Sequence, residues 1–129
     1  MRVQELQIGD LVDYRGKVIE VTSPYAKKGS NEVGFGDRED CWVNGDVLKP
    51  IELTDEILQK NFAQMGDAYV LFDDYFDIEI VEYNDCVYKL NYTYNEVNMP
   101  RTQITEIGFV HQLQHALRMV GVEQEITLT

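Results

Sequence analysis

The chain has 129 residues, a net charge of −12, 44% hydrophobic residues and 11% aromatic residues. This length fits one compact domain or two very small modules, and the apolar content predicts a folded chain. No apolar run approaches the roughly 18 residues that a membrane span requires. The first residues also lack the apolar core of a signal peptide, so we expect a cytoplasmic protein without a membrane partner.

The negative charge is concentrated in the middle of the chain. Residues 1–50 hold seven basic and nine acidic side chains, whereas residues 51–100 hold two basic and eleven acidic ones. Between Asp67 and Asp85 there are seven acids and no base. A surface of this kind repels phosphate, so we predict no nucleic-acid partner. A solubilising face explains such a run most simply, and attraction to a basic partner protein is the alternative.

The first half of the chain has the pattern of short strands joined by tight turns. The turn Ile8-Gly9-Asp10 leads into a strand at Leu11–Tyr14, and Arg15-Gly16-Lys17 reverses the chain into a second strand at Val18–Thr22. Gly16 suits the positive φ of that reversal. Further strands are expected near Glu32–Phe35 and Cys41–Val43. Residues 1–52 therefore predict a small SH3-like β-barrel or half-barrel.

The second half, residues 53–129, predicts two helices and three or four strands. A short helix is expected over Leu53–Phe62, beginning at the N-cap Thr54 and followed by Gly66 as the end of that element. The long helix contains an apolar stripe at 3, 4 and 3 spacing, formed by Val110, Leu113, Leu117 and Val120. The predicted fold class is α+β, with an SH3-like half packed beside an antiparallel sheet that carries one short and one long helix.

The strands of the second half combine acids with tyrosines. Six of the eight tyrosines lie between Tyr69 and Tyr94, and tyrosine is enriched in the centres of protein interfaces. Packing against a core is the simpler explanation of tyrosines on a strand. As a candidate protein-binding surface we select Tyr75, Asp77, Glu79, Tyr88, Tyr92 and Tyr94. The sequence leaves the oligomeric state open.

Two histidines, His111 and His115, are one turn apart on the long helix and can point the same way. They are the alternative metal ligands of this chain. A His-Glu-x-x-His zinc protease helix needs a glutamate where this chain has Gln112, and an amide cannot act as its general base. We therefore expect structural histidines, no metal and no cofactor, and no catalytic residues.

These patterns favour a non-enzymatic binding or accessory protein. A metal-dependent enzyme built on His111 and His115 is the second hypothesis. An acidic inhibitor that mimics DNA, with carboxylates in the place of phosphates, is the third.

Three segments together resemble a family of short uncharacterised proteins from Bacteroides-type gut bacteria and their phages or mobile elements. The segments are Ile8–Val12, Leu48–Leu58 and Val110–Arg118, and the last, His-Gln-Leu-Gln-His-Ala-Leu-Arg, is the most specific. Where the family often reads Lys-Asn-Gly-Phe, this chain has Lys60-Asn61-Phe62. The resemblance implies a bacterial or phage setting in the cytosol and supplies no catalytic residues.

Overall fold

A computed structural model describes residues 1–2, 5–23, 31–35, 42–72, 76–84, 87–94 and 102–128 of the chain. In these residues the fold is α+β, with two antiparallel sheets of five strands each and two α-helices. The chain divides into two compact units. The first contains Met1–Ile51 and Phe109–His115, and the second contains Glu52–Gly108 and Ala116–Thr129.

The first unit contains a five-stranded sheet in the order β4-β3-β2-β1-β5. The hairpin between β1 and β2 turns through Arg15 and Gly16, which both have positive φ (50° and 84°). Two consecutive positive φ angles are typical of a type I′ turn, whose twist matches that of the flanking strands. The predicted reversal and the role of Gly16 are confirmed. The strands are β1 (Leu11–Tyr14), β2 (Lys17–Ser23), β3 (Glu32–Phe35), β4 (Trp42–Asn44) and β5 (Leu48–Lys49).

Alternating strand residues form the core of the first unit. Their side chains are buried because successive residues of a strand point to opposite faces. The buried set is Leu6, Val12, Ile19, Val21, Val33, Val43 and Leu48. The described residues contain no pairing of β4 with β5 that would close a barrel. The SH3-like barrel therefore stays a prediction.

The first helix of the second unit is α1 (Asp55–Asn61). The Thr54 hydroxyl accepts a hydrogen bond from the amide of Ile57 at 3.3 Å, as predicted for an N-cap. Leu58 is fully buried, and the Phe62 amide after the helix donates to the Leu58 carbonyl. The prediction that this element continues to Gly66 is wrong, because Ala63–Met65 forms a short strand that pairs with the next one.

The second sheet has the strand order β10-β9-β8-β7-β6. On β8, Ile78 and Ile80 are buried, while Asp77 and Glu79, which alternate with them, are half-buried. On β9 the buried residues Tyr88 and Leu90 share the face of Ile78 and Ile80. The strands are β6 (Ala63–Met65), β7 (Ala68–Phe72), β8 (Phe76–Asn84), β9 (Val87–Tyr94) and β10 (Thr102–Ile107).

The second helix is α2 (Val110–Met119), which begins in the first unit and ends in the second. Leu113 and Leu117 of its apolar stripe are buried, as predicted. Val120 departs from the prediction, because it lies in the turn beyond the helix and is only half-buried.

A Schellman motif ends α2. The Gly121 amide donates to the Arg118 carbonyl, and the Val122 amide donates to the Leu117 carbonyl at 2.9 Å. The motif requires a residue of positive φ after the helix, and Gly121, at 80°, supplies it. None of the helices in the described ranges combines the length and the apolar character needed to cross a bilayer.

Candidate functional site

An acidic pocket of about 570 Å³ lies in the second unit, where the start of α1 meets the hairpin ends of β6–β7 and β8. Three carboxylates line it, from Asp55 at the first turn of α1, Asp67 in the turn after β6, and Glu82 near the end of β8. All three residues are exposed. The residues that line this pocket in the described structure include no Lys, Arg or His; the other five are Gln64, Tyr69, Val81, Tyr83 and Asn84.

Two buried tyrosines hold the Asp55 side of this acidic pocket. The hydroxyl of Tyr88, which is 4% exposed, donates to Asp55 Oδ1 at 2.9 Å. Burial raises the pKa of Tyr88, and its hydrogen bond to the Asp55 carboxylate raises it further. The pKa of Tyr69 is also raised by burial; a hydrogen bond with Gln59 opposes this rise, and Asp55 adds to it. Both phenols therefore stay protonated and donate hydrogen bonds at neutral pH.

An exposed aromatic ring completes the acidic pocket. Tyr83 is 59% exposed and lines it. The Lys89 ammonium lies 3.6 Å from the centre of the Tyr83 ring, so this ring already accepts a cation from the same chain. Aromatic rings attract cations through the negative potential of their faces. The three carboxylates give the pocket the chemistry of a site for a positively charged group, and the Tyr83 ring at its wall is already in contact with Lys89.

The structure separates the residues that the sequence analysis selected for a binding surface. Asp77 and Glu79 lie on one face of the second sheet, and Tyr88 and Tyr92 lie on the opposite face. Tyr88 is a core residue, and its hydroxyl donates a hydrogen bond to Asp55 of the acidic pocket. Tyr92 is half-buried, with its ring 5.9 Å from that of Phe76.

Two of the six selected residues cannot be placed in this way. Tyr75 lies outside the described residues, and so does the side chain of Tyr94. Asp55, Tyr69 and Tyr83 carry no local sequence signal that marks them as pocket residues. Asp67 and Glu82 belong to the acid run that the sequence analysis identified, and that run was the one signal for this pocket.

A second cluster lies in the first unit, around a fully buried carboxylate. Asp10, at the entry to β1, has 0% exposure and accepts a hydrogen bond from the Gln7 amide at 2.8 Å. The same oxygen, Oδ2, is 2.6 Å from Nε2 of His115 on α2. Gln114 adds two contacts, accepting from the Leu11 amide and donating to the Gly9 carbonyl, each at 2.9 Å. The predicted turn at Ile8-Gly9-Asp10 therefore holds Gln114 and His115 of α2 through these hydrogen bonds.

His111 packs beside His115. Its ring is stacked on Phe109 and meets the His115 ring edge-on, with the two imidazole centres 5.6 Å apart. His111 is 5% exposed, and its Nδ1 atom has no hydrogen-bond partner within the described part of the chain. Burial lowers the pKa of His111; Asp10 and Glu5 oppose this effect and His115 adds to it.

A pocket of about 330 Å³ opens beside both imidazoles and is also lined by Glu5, Gln7 and Gln112. Gln112, the residue in place of the zinc-protease glutamate, accepts from the Phe109 amide at 3.2 Å through its side-chain oxygen and so caps α2. Within the described ranges, no three His, Cys, Asp or Glu side chains are grouped so that they could hold one metal ion. The sequence analysis singled out both histidines but missed Asp10 and Gln114, which carry no signal beyond their position in the chain.

Comparisons with protein-family models, with curated proteins and with solved structures give no significant match. The fold and the two sites describe an acidic α+β protein that has a pocket lined by three carboxylates and a cluster of one aspartate with two histidines.

Proposed function

We propose that this protein is a non-enzymatic binding protein whose acidic pocket receives an arginine or lysine side chain of a basic partner protein. The observation that carries the proposal is the meeting of Asp55, Asp67 and Glu82 around one concave surface, beside the Tyr83 ring. Carboxylates pair with a guanidinium through two parallel hydrogen bonds, which gives arginine an advantage over lysine.

The charge of the whole chain supports this choice of partner. A net charge of −12 attracts a basic protein from a distance and accelerates its association at low salt. The pocket then supplies what a diffuse negative surface lacks, namely a defined place for one cation. Its volume of about 570 Å³ accommodates an extended side chain together with water.

We propose further that the first unit has an SH3-like connectivity. Its strand order, β4-β3-β2-β1-β5, supports this, as does the 3₁₀ turn at Gly45–Val47 between the fourth and fifth strands. Folds of this kind host many unrelated functions, so an SH3-like connectivity does not identify the binding partner.

Binding of a labelled peptide tests the proposed pocket. The probe contains arginines separated by glycine and serine, and the matched peptide carries neutral citrulline in place of each arginine. Fluorescence anisotropy at low and physiological salt gives the two dissociation constants. We expect the arginine peptide to bind and the citrulline peptide to bind at least tenfold more weakly, at about 1.4 kcal/mol per factor of ten. Equal affinity for both peptides would contradict a cation site.

Two double variants with the same change of charge separate the pocket from general attraction. Asp67→Asn with Glu82→Gln neutralises the pocket, and Glu123→Gln with Glu125→Gln neutralises two exposed acids of the same unit that do not line it. Ion pairs at exposed sites contribute up to about 1 kcal/mol each, so we expect roughly a 5- to 30-fold loss for the pocket variant. A similar loss in both variants would show that binding is not located in the pocket.

A further inference from the structure

The pocket of the first unit is lined by imidazole groups, unlike the carboxylate-lined pocket of the second unit. Both histidines of the chain, His111 and His115, line it. His115 is held by Asp10, whose carboxylate lies 2.6 Å from Nε2. With Asp10 as acceptor, the Nε2 atom carries the hydrogen, and the lone pair of the neutral ring is left on Nδ1. Within the described residues, the His115 ring contacts Asp10 through Nε2 and meets the His111 ring edge-on, and neither contact uses the Nδ1 lone pair.

This arrangement is the one that proteins use to orient a histidine towards a metal ion. A metal-ligating histidine commonly donates its other ring N–H to a carboxylate, which fixes the tautomer and the ring. His111 supplies the second pointer. The His111 side chain is buried, with 5% exposure, yet its Nδ1 atom forms no hydrogen bond within the described ranges. Buried polar atoms are normally paired.

The spacing of the rings also suits one shared ion. Two imidazoles bound to the same zinc ion at Zn–N distances of about 2.0–2.1 Å and a tetrahedral angle have ring centres roughly 5 Å apart. The centres of His111 and His115 are 5.6 Å apart, which is close to this separation. Glu5, an exposed acid on the same pocket, adds negative charge beside them.

We propose that His111 and His115 together bind one divalent transition-metal ion, with Asp10 as the residue that positions His115. The site has two protein ligands, and water completes the coordination, since the described residues contain no third ligand already in place. Imidazole nitrogen favours Zn²⁺, Ni²⁺ and Cu²⁺ over the oxygen-preferring Mg²⁺ and Ca²⁺. A two-ligand site is expected to be weaker than a four-ligand structural zinc site and to exchange its ion readily.

The direct test is zinc titration of the ¹⁵N-labelled protein, purified without a polyhistidine tag, treated with a chelator and kept reduced. Because the chain has two histidines, a long-range ¹H–¹⁵N spectrum of the imidazoles contains two ring systems. We expect Nδ1 of His115 and one nitrogen of His111 to shift together and to saturate at one zinc ion per chain, with a rise in Tm. Magnesium should change neither ring. Imidazole signals that stay unchanged at a large excess of zinc would overturn the proposal.

Variants locate the ion. His115→Gln keeps an N–H donor for Asp10 but has no ring nitrogen, so it should fold and lose the stoichiometric zinc. Glu20→Gln changes an exposed residue of the same unit that does not line the pocket, and it should bind zinc as the wild type does. Asp10→Asn should weaken zinc affinity by about 10- to 100-fold if Asp10 positions His115. Unaltered zinc binding by His115→Gln, through thiols or acids elsewhere, would refute the site.

Discussion

The buried hydroxyl of Tyr88 gives the sharpest prediction of stability, because its effect should change sign with pH. Tyr88→Phe removes one oxygen atom from a side chain that is 4% exposed and leaves the ring in place. The variant loses the hydrogen bond of 2.9 Å to Asp55 Oδ1. It creates no buried unpaired partner, because Asp55 is exposed and its carboxylate can be hydrated instead.

At neutral pH the wild type should be the more stable protein. A hydrogen bond contributes about 0.5–1.5 kcal/mol net, and one to a charged group contributes more. Rehydration of the exposed Asp55 carboxylate reduces the loss, so we expect Tyr88→Phe to lower the free energy of unfolding by about 1 kcal/mol.

At alkaline pH the order should reverse. The pKa of Tyr88 is raised in the folded state above its ordinary value of 10.0, so above pH 10 the unfolded chain loses a proton that the folded chain keeps. Fewer protons bound in the unfolded state mean that stability falls as pH rises. The Tyr88 contribution to stability is complete well below pH 10 and falls as pH rises above 10, by about 1.4 kcal/mol per pH unit while the folded chain keeps its proton. Tyr88→Phe lacks this titration and should become the more stable protein above pH 10, once this loss exceeds the roughly 1 kcal/mol that the hydrogen bond contributes.

Urea unfolding followed by circular dichroism at pH 7, 9, 10 and 11 measures both proteins under the same conditions. The difference between them removes the contributions of lysines and of the other tyrosines, which titrate in both. Absorbance of the tyrosinate ion should show one late-titrating tyrosine fewer in the variant. A difference in unfolding free energy that stays constant from pH 7 to pH 11 would refute the assignment of Tyr88 as a buried, protonated donor.

Three further predictions follow from the described contacts. Leu117→Ala, at a side chain 1% exposed in α2, should lower the free energy of unfolding by about 2–5 kcal/mol; a change of Tm within a degree or two would contradict its place in the core. Asn61→Ala should lower the free energy of unfolding by about 2–3 kcal/mol, because its side chain donates to the Ile57 and Thr127 carbonyls and accepts from the Thr127 amide. Amide hydrogen exchange in this variant should accelerate more in residues 122–128 than in the strands. The protein should not bind duplex DNA, since its net charge is −12; salt-sensitive binding in a gel-shift assay would show otherwise.

Local signals predicted the elements of this fold well. The turn at Arg15-Gly16 and the Thr54 N-cap each depend on a few adjacent residues, and each is found where the sequence places it. The strand Ala63–Met65 was not predicted, because it depends on pairing with another strand and not on a local sequence pattern. All three of its residues are exposed, so it has no apolar alternation, and its pairing with β7 is what makes it a strand.

The sites were harder to predict than the elements. Asp10 and His115 are separated by 105 positions, and nothing local in either segment indicates that they meet. The histidine pair was visible because i and i+4 residues share a helix face. Its partner was not, because an aspartate after Gly9 is an ordinary turn residue. Tertiary structure alone turns that residue into a buried carboxylate.

The acid run shows why a charged segment of sequence does not become a single charged surface. In a strand, neighbouring residues point to opposite faces. The acids of β8 are therefore divided, with Asp77 and Glu79 on one face and Glu82 on the side of Tyr88. The acidic pocket takes Asp67 from a turn and Asp55 from the first turn of a helix, which lie in other segments. Acids from different elements meet in this pocket where a hairpin ends and a helix starts, and not in the middle of the acidic strand.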